Sequence, residues 1–255
     1  MVKRPLILLS NDDGVEGAGL LAVWPYLRKL GRVVVCAPDR ERSGTGHSLT
    51  LTRPLRIKKI RRDFYAVDGT PTDAVMIAVH GLLRDRKPDI LISGINQGAN
   101  LCDDITYSGT VAAAMEGTLL GIPSIAVSLV VRNNKKPIWE VASEFTARLA
   151  KYVLRNGLPE DTLLNVNVPN TKNARIDKFA LTIQGRRIYE DVLVEKIDPR
   201  GKPYYWIGGV EGKLRIVERT DLGAVKRGFI SVTPLHMDLT HYKVMDELAE
   251  LSFKL

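Results

Sequence analysis

Short, continuous apolar runs alternate with helical patterns through the first half of the chain, and this alternation limits the fold more than any other feature. Residues 6–10, 32–37, 89–93 and 123–128 are apolar almost throughout, not at every second position. Such runs fit parallel strands buried on both faces. Helical spacing covers about 17–30, 71–84, 108–120 and 137–155 between and after them. Thr70 is placed to cap the second helix, with Pro71 at its first position. Pro25 lies inside the first and should kink or shorten it. Repeated β-α-β units predict a Rossmann-like α/β fold, a doubly wound and mostly parallel sheet with right-handed connections.

Residues 55–67 read as extended, a hairpin or edge insertion. Beyond residue 161 the texture changes. Strand-like runs at 163–168, 179–183, 204–207 and 229–233 are separated by longer loops, and an amphipathic helix over about 240–252 ends the chain. We divide it into a Rossmann-like core, 1–168, and a β-rich extension with a terminal helix, 169–255, the two forming one integrated unit. The 255 residues, 45% hydrophobic and 26% charged, suit one domain with an appendage.

No apolar run approaches the roughly 20 residues of a membrane span. The basic start is followed by a short apolar run that meets acids, not a small-residue cleavage site, so a cytoplasmic protein without a membrane partner is expected. Two cysteines do not make a disulfide framework, and reduced thiols follow. The formal charge of +8 favours anionic partners. Its lysines and arginines are scattered, with no zinc-finger spacing or aromatic RNA-binding signature. Small phosphorylated substrates account for the charge equally well, and nucleic acid is not expected as the main partner.

Three glycine-containing polar clusters follow the predicted strands: Asn11-Asp12-Asp13-Gly14, residues 42–48 around Ser43 and His47, and residues 93–100 with Asn96 and Asn100. Ligands bind beyond the carboxyl ends of strands in such sheets. Any one cluster alone is an ordinary turn more often than a site. Together they supply oxygen ligands for a hard cation with open positions. Asp12 and Asp13 are adjacent charges that point to opposite faces while the chain stays extended. They converge only if it leaves the strand, which Gly14 permits, and either a bound cation or solvent would then relieve their repulsion.

Tyr107-Ser108-Gly109-Thr110 opens an alanine-rich helix. Such a start is a ready phosphate cradle, and Ser108 is equally an ordinary N-cap, so both readings stand. A P-loop, a dinucleotide fingerprint and a GxSxG elbow are all missing. His47, in a polar loop, is a candidate substrate contact. His80 falls within an apolar helical pattern and should be packed, while His236 and His241 flank the last helix as structural or interfacial groups.

The segments NDDG, APDRERSGTGHSLT (37–50), DGTPTDAV (68–75), SGINQGAN (93–100), YSGTVAAAMEG (107–117), IPSIAVS (122–128), LNVNVP (164–169) and VTPLHMDLT (232–240) resemble, in order and across nearly the whole chain, the SurE family of stationary-phase survival proteins. The resemblance implies a divalent-metal-dependent 5′/3′-nucleotidase, a phosphomonoesterase acting on nucleoside monophosphates. Carried over by position, the metal ligands are Asp12, Asp13, Ser43 and Asn96. Asp12 and Asp13 are the catalytic candidates, and one Mg²⁺ or Mn²⁺ per subunit fits this oxygen-only set. Ser108, Gly109 and Thr110 fall at the phosphate-binding helix start, with His47, Asn11 and Asn100 as further candidate contacts. The resemblance also implies a homodimer or homotetramer that exchanges C-terminal elements. Action mainly on short polyphosphate, or a non-catalytic nucleotide- or RNA-binding module, are the alternatives. Cys102 stands where a glycine is expected, which would matter if that position requires a positive φ.

Overall fold

The computed structural model describes residues 4–131, 135–171, 176–186, 189–190, 193–207, 210–211 and 217–249. In chain order the elements are β1 (Leu6–Ser10), α1 (Ala18–Arg28), β2 (Arg32–Pro38), β3 (Ile57–Arg61), β4 (Phe64–Val67), α2 (Pro71–Ile77), β5 (Ile90–Gln97), α3 (Gly109–Leu119), β6 (Ser124–Val130), α4 (Trp139–Asn156), β7 (Thr162–Pro169) and β8 (Phe179–Leu181). They continue as β9 (Tyr189–Glu190), β10 (Leu193–Ile197), β11 (Pro203–Ile207), β12 (Val210–Glu211), α5 (Asp221–Lys226), β13 (Ile230–His236) and α6 (Tyr242–Ala249).

Nine strands form one sheet in the order β3-β4-β2-β1-β5-β6-β7-β13-β8. From β4 to β7 every pairing is parallel. β3 closes one edge antiparallel to β4, while toward the other β13 runs antiparallel to β7 and parallel to β8, the last strand. The fully buried run of β1 shows why the strands are apolar throughout: Ile7 and Leu9 pack with α1 and α4 on one face, Leu6 and Leu8 with α2 and α3 on the other. β10 and β11 form a separate antiparallel hairpin, exposed along its whole length.

Several expectations are corrected. α1 runs through Pro25 and stops three residues later at Arg28, two residues short of the expected end. The helix expected over 71–84 is α-helical only to Ile77, closed at its start by a Thr70–Asp73 capping box, and widens into a π-turn over Ala78–Leu82. His80 lies in that turn and is exposed, not packed. The third strand continues past Ser93 to Gln97. Its pairing with β6 shifts between Ser93 and Asn96, so what read as a loop is a bulged strand end. Gly94 has φ +123, and a Cβ there would come within 2.3 Å of the Val127 carbonyl oxygen.

The connections are not all of one hand. β5-α3-β6 and β6-α4-β7 step the same way across the sheet, yet α3 and α4 cover opposite faces. The α1, α2 and α3 connections share one hand, and α4 has the other. Beside α1, α4 covers apolar residues of β6 and β7, among them Val127, Leu129, Val166 and Val168. Of the last predicted helix, Tyr242–Ala249 is described and residues 250–252 lie outside the described residues.

Candidate active site

β1 and β5 are neighbours, but the chain builds outward from them in opposite directions, toward β2 and β4 from one and toward β6 and β7 from the other. Loops leaving such a pair diverge and open a crevice at the carboxyl ends of the strands. Here the crevice holds about 320 Å³ and is lined by Asp12, Asp13, Ser43, Asn96, Asn100 and Ser108, together with Glu41, Asp104 and Tyr107. The three polar clusters and the start of α3 thus border one space.

Asp12 ties these parts together. Its carboxylate Oδ1 accepts from the Thr110 hydroxyl in the first turn of α3. Its main-chain carbonyl accepts from the Arg42 N–H at 2.8 Å, next to Ser43. The chain leaves β1 as the doublet requires, since Gly14 takes φ +98. Only 4% of Asp12 is exposed. Burial raises its carboxyl above the ordinary range, against hydrogen bonds from Thr110 that lower it. Asp13 is pushed from 3.8 to about 6, first by burial and then by the charge of Asp12, while a backbone hydrogen bond from Gln97 opposes the shift. Two carboxylates held this way favour a cation between them.

The neutral oxygens are arranged to match. Asn96 commits its Nδ2 to the Gly98 carbonyl at 3.1 Å, leaving Oδ1 as the atom to offer a cation. The Ser43 hydroxyl donates to Glu41 Oε1 at 2.9 Å. Among the described residues, no three His, Cys, Asp or Glu side chains gather as a metal-holding group. A cation here would rest on two carboxylates plus hydroxyl and amide oxygens, a donor set for Mg²⁺ or Mn²⁺ and not for Zn²⁺.

At the start of α3, Ser108 is the N-cap, its Oγ accepting from the Val111 N–H at 3.1 Å. Gly109 packs against Asp12 so closely that a Cβ would lie 2.8 Å from the aspartate Cβ. Thr110 is buried beneath the crevice with its hydroxyl committed to Asp12. Asn100 lies on the wall, held from behind by β6 and β7.

Two candidate contacts sit elsewhere. Asn11 is fully buried, and a Cβ on Gly17 would approach its Nδ2 to 2.6 Å. His47 pairs with Glu116 on α3, Nε2 to Oε2 at 2.8 Å, and lies apart from the crevice lining. Through this pair and the Gly46 N–H to Tyr107 carbonyl bond, the loop carrying Ser43 is pinned to α3. Glu41 and Asp104 were not singled out from the sequence. Glu41 stands two residues before Ser43 in DRERS, and that proximity is the one signal that could have found it.

Fold and crevice define a Rossmann-like α/β protein with an acidic, oxygen-lined ligand site at its switch point. A family model described as "Survival protein SurE" matches residues 7–191. The chain belongs to the SurE family. A "5'-nucleotidase SurE" of Geotalea uraniireducens is 53% identical over 242 residues, covering 95% of this chain and 97% of that protein. The Aquifex aeolicus protein of the same name is 51% identical over 248 residues, covering 97% and 98%. A crystal structure of the SurE protein from Aquifex aeolicus superposes with a TM-score of 0.84 at 50% identity, covering 96% of this chain and 98% of that one.

Proposed function

We propose that this chain is a divalent-metal-dependent phosphomonoesterase that hydrolyses nucleoside 5′- and 3′-monophosphates to nucleoside and phosphate. Its relatives are named 5′-nucleotidases, which supports the 5′ activity directly. The observation that carries the reading is the position of Asp12, which touches the start of α3 and the loop holding Ser43 at once. A carboxylate pair for a cation therefore stands directly beside a helix N-terminus suited to a phosphate.

Asp12, Asp13, Ser43 and Asn96 would hold one Mg²⁺ or Mn²⁺ per subunit. Bound there, the metal supplies Lewis-acid polarisation of the phosphoryl group and a more acidic water. The protein's own groups do the rest. Thr110 fixes the rotamer of Asp12. The positive end of α3, at Ser108 and Gly109, steadies charge on the phosphoryl oxygens. Ser43 is taken as a ligand: its hydroxyl donates to the Glu41 carboxylate and keeps its oxygen lone pairs for a cation. Inversion at a chiral phosphorus with no phosphoserine separates this from a nucleophilic role. Phosphate release from AMP should vanish in EDTA and return with Mg²⁺ or Mn²⁺, and undiminished turnover after thorough chelation would refute the metal-dependent reading.

We also infer a homodimer or homotetramer in which the 169–255 extension is exchanged between subunits. In the single chain no residue of α6 is fully buried, and Tyr242, Met245 and Leu248 are each more than half exposed. The β10–β11 hairpin exposes Leu193, Ile197, Trp206 and Ile207 as well. Apolar surface of this extent supports a second copy as its cover. No described helix is long and apolar enough to cross a membrane. Both cysteines are buried outside any disulfide, which supports a cytoplasmic location.

A further inference from the structure

The LNVNVP segment forms β7, and the nucleotidase reading gives it no task. Leu164, Val166 and Val168 join the core on one face, as expected of a buried strand. On the other face stand Asn165 and Asn167, both fully buried. An amide taken from water without partners costs about 1–3 kcal/mol, so two on one strand face need a reason.

Their partner is Asn100 of the crevice wall. Asn165 Nδ2 and Asn167 Nδ2 both donate to the Asn100 carbonyl, each at 2.9 Å. Asn167 Oδ1 accepts from the Asn100 N–H at 2.9 Å. The side chain of Asn100 is held as well, its Nδ2 donating to Ser128 Oγ at 2.8 Å. Ser128 is fully buried on β6, level with Asn96 on β5 and with Asn167 on β7. Main chain and side chain of Asn100 are therefore fixed from the two strands behind the site, 28 to 67 residues away in sequence. Among the described residues its Oδ1 has no hydrogen-bond partner, and Asn100 lines the crevice.

We propose that Ser128, Asn165 and Asn167 are positioning residues of the active site, an amide clamp that holds Asn100 at a fixed place on the crevice wall with the end of its side chain toward the phosphoryl group. The clamp rests on the reading of Asn100 as a substrate contact. Ser128 has a second property that suits the task. Its hydroxyl both donates and accepts, so it can hold Asn100 whether the amide turns its oxygen or its nitrogen to the crevice. A substrate phosphate could select the donor face without loss of the clamp.

A double-mutant cycle tests this with the full-length protein, steady-state AMP hydrolysis in Mg²⁺ and urea unfolding. Ser128→Ala removes a single hydroxyl at nearly constant volume and should lower kcat/KM about five- to tenfold, the worth of about one hydrogen bond. Asn100→Ala should lower it further. The double variant should be no slower than Asn100→Ala alone, because the clamp acts only through the side chain it holds. Asn167→Asp, which keeps the acceptor for the Asn100 N–H but loses a donor to its carbonyl, should also lower kcat. A multiplicative loss in the double variant would make Ser128 a general structural residue and overturn the clamp. So would wild-type kinetics for Ser128→Ala beside an impaired Asn100→Ala. Wild-type kinetics for Asn100→Ala would instead remove Asn100 from the site, while the metal-dependent hydrolysis itself stood.

Discussion

Gly109→Ala separates two physical accounts of the same glycine, because they predict opposite signs. Gly109 is the first residue of α3, and by helix propensity alone alanine is better there by up to about 1 kcal/mol. Stability should then rise slightly and turnover stay unchanged. Close packing predicts the reverse. A Cβ at this position would lie 2.8 Å from Asp12 Cβ, 3.1 Å from Asp12 Oδ2 and 3.1 Å from Pro71 Cγ. Carbon–carbon contacts are comfortable at about 3.5–4.0 Å, so the approach to Asp12 is too short by roughly 1 Å. None of these atoms yields easily: Asp12 Cβ is one bond from the main chain, its carboxylate is tied to Thr110, and Pro71 is a ring.

The relief available is for the start of α3 and the β1 terminus to move apart. Overpacking of this kind costs about 1–3 kcal/mol. A misplacement near 1 Å between reacting groups costs on the order of a hundredfold in rate. We expect Gly109→Ala to unfold at lower urea concentration and to lose about two orders of magnitude in kcat, with the same far-ultraviolet circular dichroism as wild type. A variant at least as stable as wild type, with kcat within threefold of it, would refute the close-packing argument.

Asp13→Asn should stabilise the metal-free protein above pH 6 and leave it unchanged near pH 4. The folded carboxyl is raised from 3.8 to about 6, so between those values the native state holds more protons than the unfolded one and stability falls as pH rises; urea midpoints in EDTA across pH 4–8 check it. Truncation after Leu239 should weaken the assembly seen by light scattering, and a fully dimeric truncated protein would remove α6 from that role. AMP should bind poorly by calorimetry in EDTA, because Asp12, Asp13, Glu41 and Asp104 line the crevice, and tight binding without metal would contradict this charge argument.

The parallel core was legible because strands buried on both faces leave continuous apolar runs, and β1, β2, β6 and β7 fall within two residues of the predicted bounds. Periodicity does not say which face of a sheet a helix covers, so the opposite hand of the α4 connection had no signal. At the bulge near the end of β5, Gly94 lies against the Val127 carbonyl of β6, a neighbour that a local pattern cannot see. β10 escaped notice because LVEKI breaks its apolar residues with two charges, whereas its equally exposed partner β11 carries the aromatic run YYW that reads as a strand. At the site, the polar clusters were visible as departures from apolar runs. His47 was read from its polar neighbours, whereas its actual partner, Glu116, lies 69 residues away on α3. Contacts of that range are set by strand order and not by spacing.

Cys102 shows how far the C-terminal region reaches back toward the crevice. Its φ is +57, the left-handed conformation that glycine adopts without strain. For an L-residue this costs about 1–2 kcal/mol. The structure offsets it with Asp221, the fully buried first residue of α5. One carboxylate oxygen accepts from the Cys102 N–H at 2.8 Å, and the other accepts from the N–H groups of Gly185 at 3.0 Å and Leu222 at 2.7 Å. The Cys102 thiol points to that same oxygen at 3.6 Å. Hydrogen bonds to a charged group contribute about 1.5–3 kcal/mol each, enough to hold a side chain where a glycine would sit without strain. The short helix Cys102–Thr106 and Tyr107 then lead directly to the Ser108 cap of α3. Residues 185 and 221 flank the segment that carries the exposed β10–β11 hairpin, so the loop before α3 is anchored by the two ends of that segment.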